Sequence, residues 1–176
     1  MLRNIVAVRL CLASVIVMVG SAIVMAEPGT EGQEPNQLIG DWRADCDAWG
    51  VPADCQISWS EGMHDAHLTI SYSIANRDTA DTIFRGNGVY RLRNDDLDGF
   101  WSDSGGAIHP LRASWADAAL KTHWGRAGGD QGRTVYQLTD NGRLNVVDWS
   151  LQDDGWVQFM SVTYERSSTV PASAPD

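Results

Sequence analysis

The segment from Phe100 to Trp115 gathers side chains suited to holding a small molecule: two indoles, Trp101 and Trp115, an imidazole, His109, a guanidinium, Arg112, and the glycine pair Gly105-Gly106. Indole faces supply apolar contact, and His109 or Arg112 would pair with a ligand's polar end. The segment therefore reads as the rim of a ligand site, weighed against a well-packed long connection. The eight tryptophans, at 42, 49, 59, 101, 115, 124, 149 and 156, all lie beyond residue 26. Most are expected in the core, because an indole buries a large apolar area. His64 and His67 bring two imidazoles close in sequence, but residues three apart on a strand point to opposite faces. His109 and His123 add no metal-ligand spacing. The sequence carries no phosphate-binding loop, dinucleotide fingerprint or nucleophile-base pair, so no catalytic residue, metal ligand or cofactor is assigned.

Two short segments resemble motifs of known chemistry. Asp103-Ser104-Gly105-Gly106 is similar to the nucleophile segment of chymotrypsin-like serine proteases, and His67 precedes it in the family's order. His67, however, sits in Asp65-Ala66-His67-Leu68 without the family's Ala-Ala-His-Cys, and 37 residues before Ser104 leave no room for the intervening barrel, so the segment is read as a glycine loop. Asn94-Asp95-Asp96-Leu97-Asp98-Gly99 resembles a calcium loop, with oxygen ligands at alternate positions before a glycine. Asn94 stands where an aspartate is usual and Gly105 where a bidentate glutamate is needed, so the segment is read as an acidic hairpin turn.

The elements that would position these residues start after an export signal. Arg3 gives a positive start, Ile5 to Val24 is almost wholly apolar, interrupted by Arg9, and Val24-Met25-Ala26 is a small-residue pattern before Glu27-Pro28, so residues 1–26 read as a secretory signal peptide cleaved after Ala26. An uncleaved membrane anchor is the alternative, since the apolar run approaches the roughly 20 residues that span a bilayer. Cleavage leaves 150 residues, the size of one domain, and removes Cys11. The remaining pair, Cys46 and Cys55, then implies a disulfide in a periplasmic or secreted chain, stabilising the fold by about 2 to 3 kcal/mol.

Residues 27–37 hold prolines, glycines and glutamates with no apolar side chain and read as a flexible linker; residues 167–176 read as a disordered tail. Between them, residues 38–166 alternate polar and apolar side chains at period two, most clearly at Leu68, Ile70, Tyr72 and Ile74. Strands are expected at 38–45, 55–60, 66–75, 82–84, 89–93, 99–102, 111–116, 120–124, 134–138, 144–151 and 156–166. Turns are expected at Gly86-Asn87-Gly88, Asp98-Gly99, Asn141-Gly142 and Asp154-Gly155. A helical turn over Ala116 to Lys121 is the alternative to the middle strands there. The expected fold is all-β: a single antiparallel up-and-down β-barrel of 8–10 strands, closed because closure removes exposed sheet edges, with a sandwich as the other arrangement.

Gly40-Asp41-Trp42 near the start of the first strand and Tyr164-Glu165-Arg166 at the end of the last resemble the Gly-x-Trp and terminal arginine of lipocalin-like (calycin-type) barrels. The resemblance implies that Gly40, Trp42 and Arg166 close the barrel floor, with the guanidinium stacked over the indole. Some periplasmic protease inhibitors also begin a small disulfide-closed barrel with a similar Gly-x-Trp and a cysteine pair.

Charge bounds the partners. Lys and Arg total 13 against 23 Asp and Glu; without Arg3 and Arg9 the balance is 11 against 23, net −12, which disfavours nucleic acid. The expected function is therefore an exported barrel of the cell envelope, not inserted in the membrane after signal cleavage, that binds a small apolar or aromatic molecule. The rival is an inhibitor or interaction protein whose acidic surface meets a protease or lysozyme. An uncharacterised enzyme comes third.

Overall fold

Alternation of polar and apolar side chains runs through almost every stretch between residues 40 and 166, and in the computed structural model these stretches are antiparallel strands. The structure describes residues 35–63, 66–93 and 96–167. Residues 1–34, which hold the expected signal peptide and most of the expected linker, and residues 168–176, nearly all of the expected tail, lie outside the described residues, as do His64, Asp65, Asn94 and Asp95. A 3-10 turn, Pro35–Leu38, leads into β1 (Gly40–Ala48), β2 (Val51–Glu61), β3 (His67–Asn76), β4 (Thr82–Arg93) and β5 (Asp96–Asp103). These are followed by β6 (Ile108–Ala116), β7 (Ala119–Gly125), β8 (Gln131–Leu138), β9 (Leu144–Gln152) and β10 (Gly155–Arg166). Each strand pairs with its neighbours in sequence, and β1 pairs with β10, so the sheet closes into an up-and-down barrel.

Period-two burial decides which side chains enter the barrel. Trp42 and Ala48 of β1, Ala53, Cys55, Ile57 and Trp59 of β2, and Leu68, Ile70 and Ile74 of β3 are buried, while most residues between them are not. The expected meander of the last three strands is present as β8, β9 and β10, with Gly142 and Gly155 at positive φ in its turns. A disulfide joins Cys46 of β1 to Cys55 of β2, their Cα atoms 6.0 Å apart.

Two expected turns need correction, and at a third place the strands expected at 111–116 and 120–124 are present in place of their helical alternative. Gly86-Asn87-Gly88 is no turn: β4 runs unbroken through it, pairing with β3 on one side and β5 on the other. Those glycines are needed for space, because a Cβ at Gly86 would collide with the Trp101 indole and one at Gly88 would meet both Ile70 and Trp101. Asp98-Gly99 likewise lies inside β5, paired with Arg91 and Tyr90; the side chain of Asp98 accepts a hydrogen bond from Arg91 Nε at 2.9 Å. Ala116 to Lys121 does not form a helical turn. Asp117 and Ala118 both take positive φ, 57° and 56°, in a two-residue hairpin turn whose twist matches the flanking strands.

One end of the barrel is sealed. Leu38 of the 3-10 turn is fully buried, Trp42 Nε1 donates to its carbonyl at 2.8 Å, and Trp59, Leu68, Leu120, Leu144 and Tyr164 are fully or almost fully buried. Trp42 stands opposite Arg166 in register, and the guanidinium lies 4.2 Å from the indole centroid.

Candidate functional site

Up-and-down topology sends alternate turns to opposite ends, so the β1–β2, β3–β4, β5–β6, β7–β8 and β9–β10 connections gather at the end away from Leu38. There the barrel opens into a cavity of about 230 Å³. Its rim is aromatic: Trp49, Phe84, Trp101, His109, Trp124 and Phe159. Two rim indoles are seated by glycines. Trp101 faces Gly88 across β4 and β5, and Trp124 faces Gly132 across β7 and β8, where an added Cβ would collide with the ring. A cross-strand glycine lets a large ring lie flat along the inner wall instead of plugging the lumen.

The rim loop is held by Asp103. Its Oδ1 accepts the backbone N–H of Gly105 at 2.9 Å and of Ala107 at 3.2 Å, and its Oδ2 accepts Trp101 Nε1 at 3.1 Å. Ser104 Oγ accepts the Arg85 N–H at 3.1 Å, so this loop is an ordinary side-chain-stabilised turn. His109 packs against Trp124 with ring centroids 5.2 Å apart.

Deeper in, Ile57, Leu111, Val146 and Met160 supply aliphatic wall, and Tyr72, Tyr90, Tyr136, Thr122 and Thr134 supply hydroxyls. Tyr90 and Thr122 share a hydrogen bond at 3.2 Å, and Tyr164 donates to Tyr72 at 3.4 Å. Burial raises the phenols of Tyr72, Tyr136 and Tyr164 well above their ordinary range and pushes Tyr90 up to about 12, so all four stay protonated at neutral pH. The remaining polar group of the wall is Asp148. Burial lifts its carboxyl from 3.8 to about 6, against the hydrogen bond that Thr134 Oγ1 donates to Oδ1 at 2.6 Å. Among the described residues no hydrogen bond reaches Oδ2, which is left to face the cavity.

The four residues expected to bind ligand do not converge. Trp101 and His109 line the cavity. Arg112 is exposed on the outer face of β6, beside Asp98 and His123 in register. Trp115 shares the inward parity of His109 but lies six residues along β6, roughly 20 Å away, next to the closed-end turn at Asp117-Ala118. Not all tryptophans are core. Trp149 of β9 and Trp156 of β10 sit on the outer wall within reach of Arg133 of β8, whose guanidinium carbon is 4.5 Å and 5.0 Å from their rings. Sequence reasoning passed over Asp148, although Leu144, Val146 and Asp148 share one parity and the alternation alone places this carboxylate inside. Among the described residues no cluster of His, Cys, Asp and Glu has the makings of a metal site, and no helix is long and apolar enough to cross a membrane.

No protein-family model matches the chain, and no curated protein matches it. Its fold is similar to that of Rv2717c from M. tuberculosis, a crystal structure aligned with a TM-score of 0.55 over 74% of this chain and 93% of that one. At 10% sequence identity the likeness is one of fold alone.

Proposed function

We propose that the protein is an exported, lipocalin-like barrel of the cell envelope that takes up a small apolar or aromatic molecule through its open end. The observation that carries this reading is the cavity: about 230 Å³ inside a closed barrel, walled by aromatic and aliphatic side chains with a few polar groups set among them. A volume of that size suits a ligand of one or two rings. A site built on paired strands is also largely formed before ligand arrives, which lowers the ordering cost of binding. The Cys46–Cys55 disulfide fits an oxidising compartment such as the periplasm, in keeping with the signal-like residues 1–26.

The test is native mass spectrometry of the protein purified from its own envelope, together with calorimetric titration of 2-naphthalenemethanol as a neutral probe. A retained small-molecule adduct and saturable uptake of one probe per chain are the expected results; a chain that carries no adduct and takes up no probe overturns the reading.

A second reading, an inhibitor or interaction protein for a protease or lysozyme, draws on the exposed apolar side chains Trp49 and Ile108, 59% and 76% exposed, which flank the open end. A stable complex with a basic secreted enzyme, formed by a chain that binds no small probe, would favour it.

A further inference from the structure

The polar chemistry inside the cavity is one-signed. Of the described residues lining it, Asp103 and Asp148 are carboxylates and none is Lys or Arg. The two acids differ in what they already hold. Asp103 on β5 spends both oxygens on Trp101, Gly105 and Ala107 and is part of the rim turn. Asp148 on β9 keeps Oδ2 open to the cavity, in a wall of tyrosine and tryptophan rings whose faces are negative. A half-buried carboxylate in so apolar a wall is costly to ionise, and a cation or a strong donor beside it offsets that cost. An acidic ligand would meet the opposite: an uncompensated negative charge, and no cation inside to receive it, because Arg112 lies on the outer face.

We propose that the cavity selects an organic cation, a small aromatic or apolar molecule bearing a protonated amine, with the ammonium seated against Asp148 Oδ2 and the ring system among Trp101, Trp124 and Phe84. The proposal rests on the ligand-binding reading above and names its substrate class. The ammonium donates to the open oxygen while the neighbouring aromatic faces attract its charge. The Thr134 hydroxyl keeps the carboxylate aimed from the β8 side. A chain with 23 acidic and 13 basic residues also draws cations toward its mouth.

Because the carboxyl is lifted toward neutrality by burial, cation uptake follows its charge. Asp148 is ionised above about pH 6 and neutral well below it, so affinity for the amine rises as pH climbs from 5 to 7.5. The titratable groups that share the interior with it are Tyr72 on β3, Tyr90 on β4, Tyr136 on β8 and Tyr164 on β10, with Asp103 on β5 and His109 on β6 at the rim. The four phenols stay protonated across this range. The imidazole is removed from the comparison by repeating the profile in His109→Gln.

Three probes of one shape separate the possibilities: 2-naphthylmethylammonium, 2-naphthalenemethanol and 2-naphthoate, titrated calorimetrically into the full mature chain at pH 7.5 and 0.15 M salt. The ammonium should bind about tenfold or more tighter than the alcohol, the weight of one charge-assisted hydrogen bond, and the naphthoate weaker than both. Asp148→Asn should abolish the ammonium's advantage over the alcohol, read as the ratio of the two affinities within the variant. The wild-type ammonium affinity should fall at least fivefold between pH 7.5 and 5, with the alcohol flat, a readout that needs no variant. Equal binding of ammonium and alcohol, or a preference that survives in Asp148→Asn, overturns the cation assignment and leaves the ligand-binding reading standing. Failure of all three probes to bind overturns both.

Discussion

The guanidinium of Arg166, last residue of β10, lies over the indole of Trp42 in β1, and its two terminal nitrogens donate to the carbonyls of Ile39 at 2.6 Å and Gln37 at 2.9 Å. This contact sits where the two ends of the sheet meet, so it ties the closing pair of strands and the 3-10 turn that seals the floor into one unit. Trp42→Ala should cost about 3 to 5 kcal/mol, because the buried indole leaves a cavity bounded by strands that cannot collapse into it. Arg166→Ala should cost less, about 1 to 2 kcal/mol, since its partners can turn to water. Gly40→Ala should also destabilise: Gly40 has φ +134°, and a Cβ there would collide with the Arg166 guanidinium. Denaturant midpoints of the three variants check the order, and a midpoint unmoved by Trp42→Ala would break the account of closure.

Gly86 and Gly132 should not tolerate side chains. Each leaves room for an indole from the neighbouring strand, Trp101 and Trp124, and even a methyl group would force the ring off the wall. Gly86→Ala and Gly132→Ala are each expected to destabilise by roughly 1 to 3 kcal/mol and to shift the emission of the displaced tryptophan toward that of a more exposed indole. Chemical unfolding followed by tryptophan fluorescence reads both effects in one experiment.

How much of this was legible depends on which signal a residue carried. Leu68, Ile70, Tyr72 and Ile74 advertised their face because each is apolar between polar neighbours, and Asn141-Gly142 marked a turn because nothing else explains that pair. Gly86-Asn87-Gly88 carried the same local signature for a different reason: its glycines serve a ring 13 to 15 residues away, a tertiary demand that local sequence does not show. The pairing of His109 with Arg112 failed on a rule the sequence itself supplied. Residues three apart on a strand face opposite ways, which separates His109 from Arg112 as it does His64 from His67. Trp115 failed differently, since parity puts it inside and only the hairpin at Asp117-Ala118 puts it at the wrong end.

Asp148 should make the fold less stable at neutral than at acidic pH, relative to a variant without the charge. Its folded value is raised to about 6 from 3.8, so the native state holds the proton more tightly than the unfolded chain between those values. By linkage its contribution is least unfavourable below about pH 4 and worsens as pH rises through 6, reaching a penalty of up to about 3 kcal/mol above it. Asp148→Asn, which can still accept from Thr134, should therefore stabilise the protein at pH 8 and change little at pH 4. Urea midpoints of the two proteins at both pH values decide it; an equal gap at the two would refute burial as the cause.

The two halves of the Phe100 to Trp115 segment should separate cleanly by mutation. Trp101 lines the cavity, packing near parallel to Phe84 with ring centroids 6.4 Å apart, so Trp101→Ala removes a wall and should weaken 2-naphthalenemethanol about tenfold or more while the other strands stay paired. Trp115 packs against the buried core near the opposite end, so Trp115→Ala should destabilise the fold by about 2 kcal/mol or more, read as a lower denaturant midpoint, and leave probe affinity in the folded protein within twofold. Arg112→Ala should alter neither, because an exposed guanidinium on the outer face reaches no ligand and surface substitutions of this kind are usually worth under about 0.5 kcal/mol. Calorimetric titration of the probe into each folded variant, paired with its unfolding curve, distinguishes these outcomes. Loss of affinity in Arg112→Ala, with the affinity of Trp101→Ala unchanged, would mean that the ligand sits against the outer wall of β6, and the cavity would then be a packing defect without a role in binding.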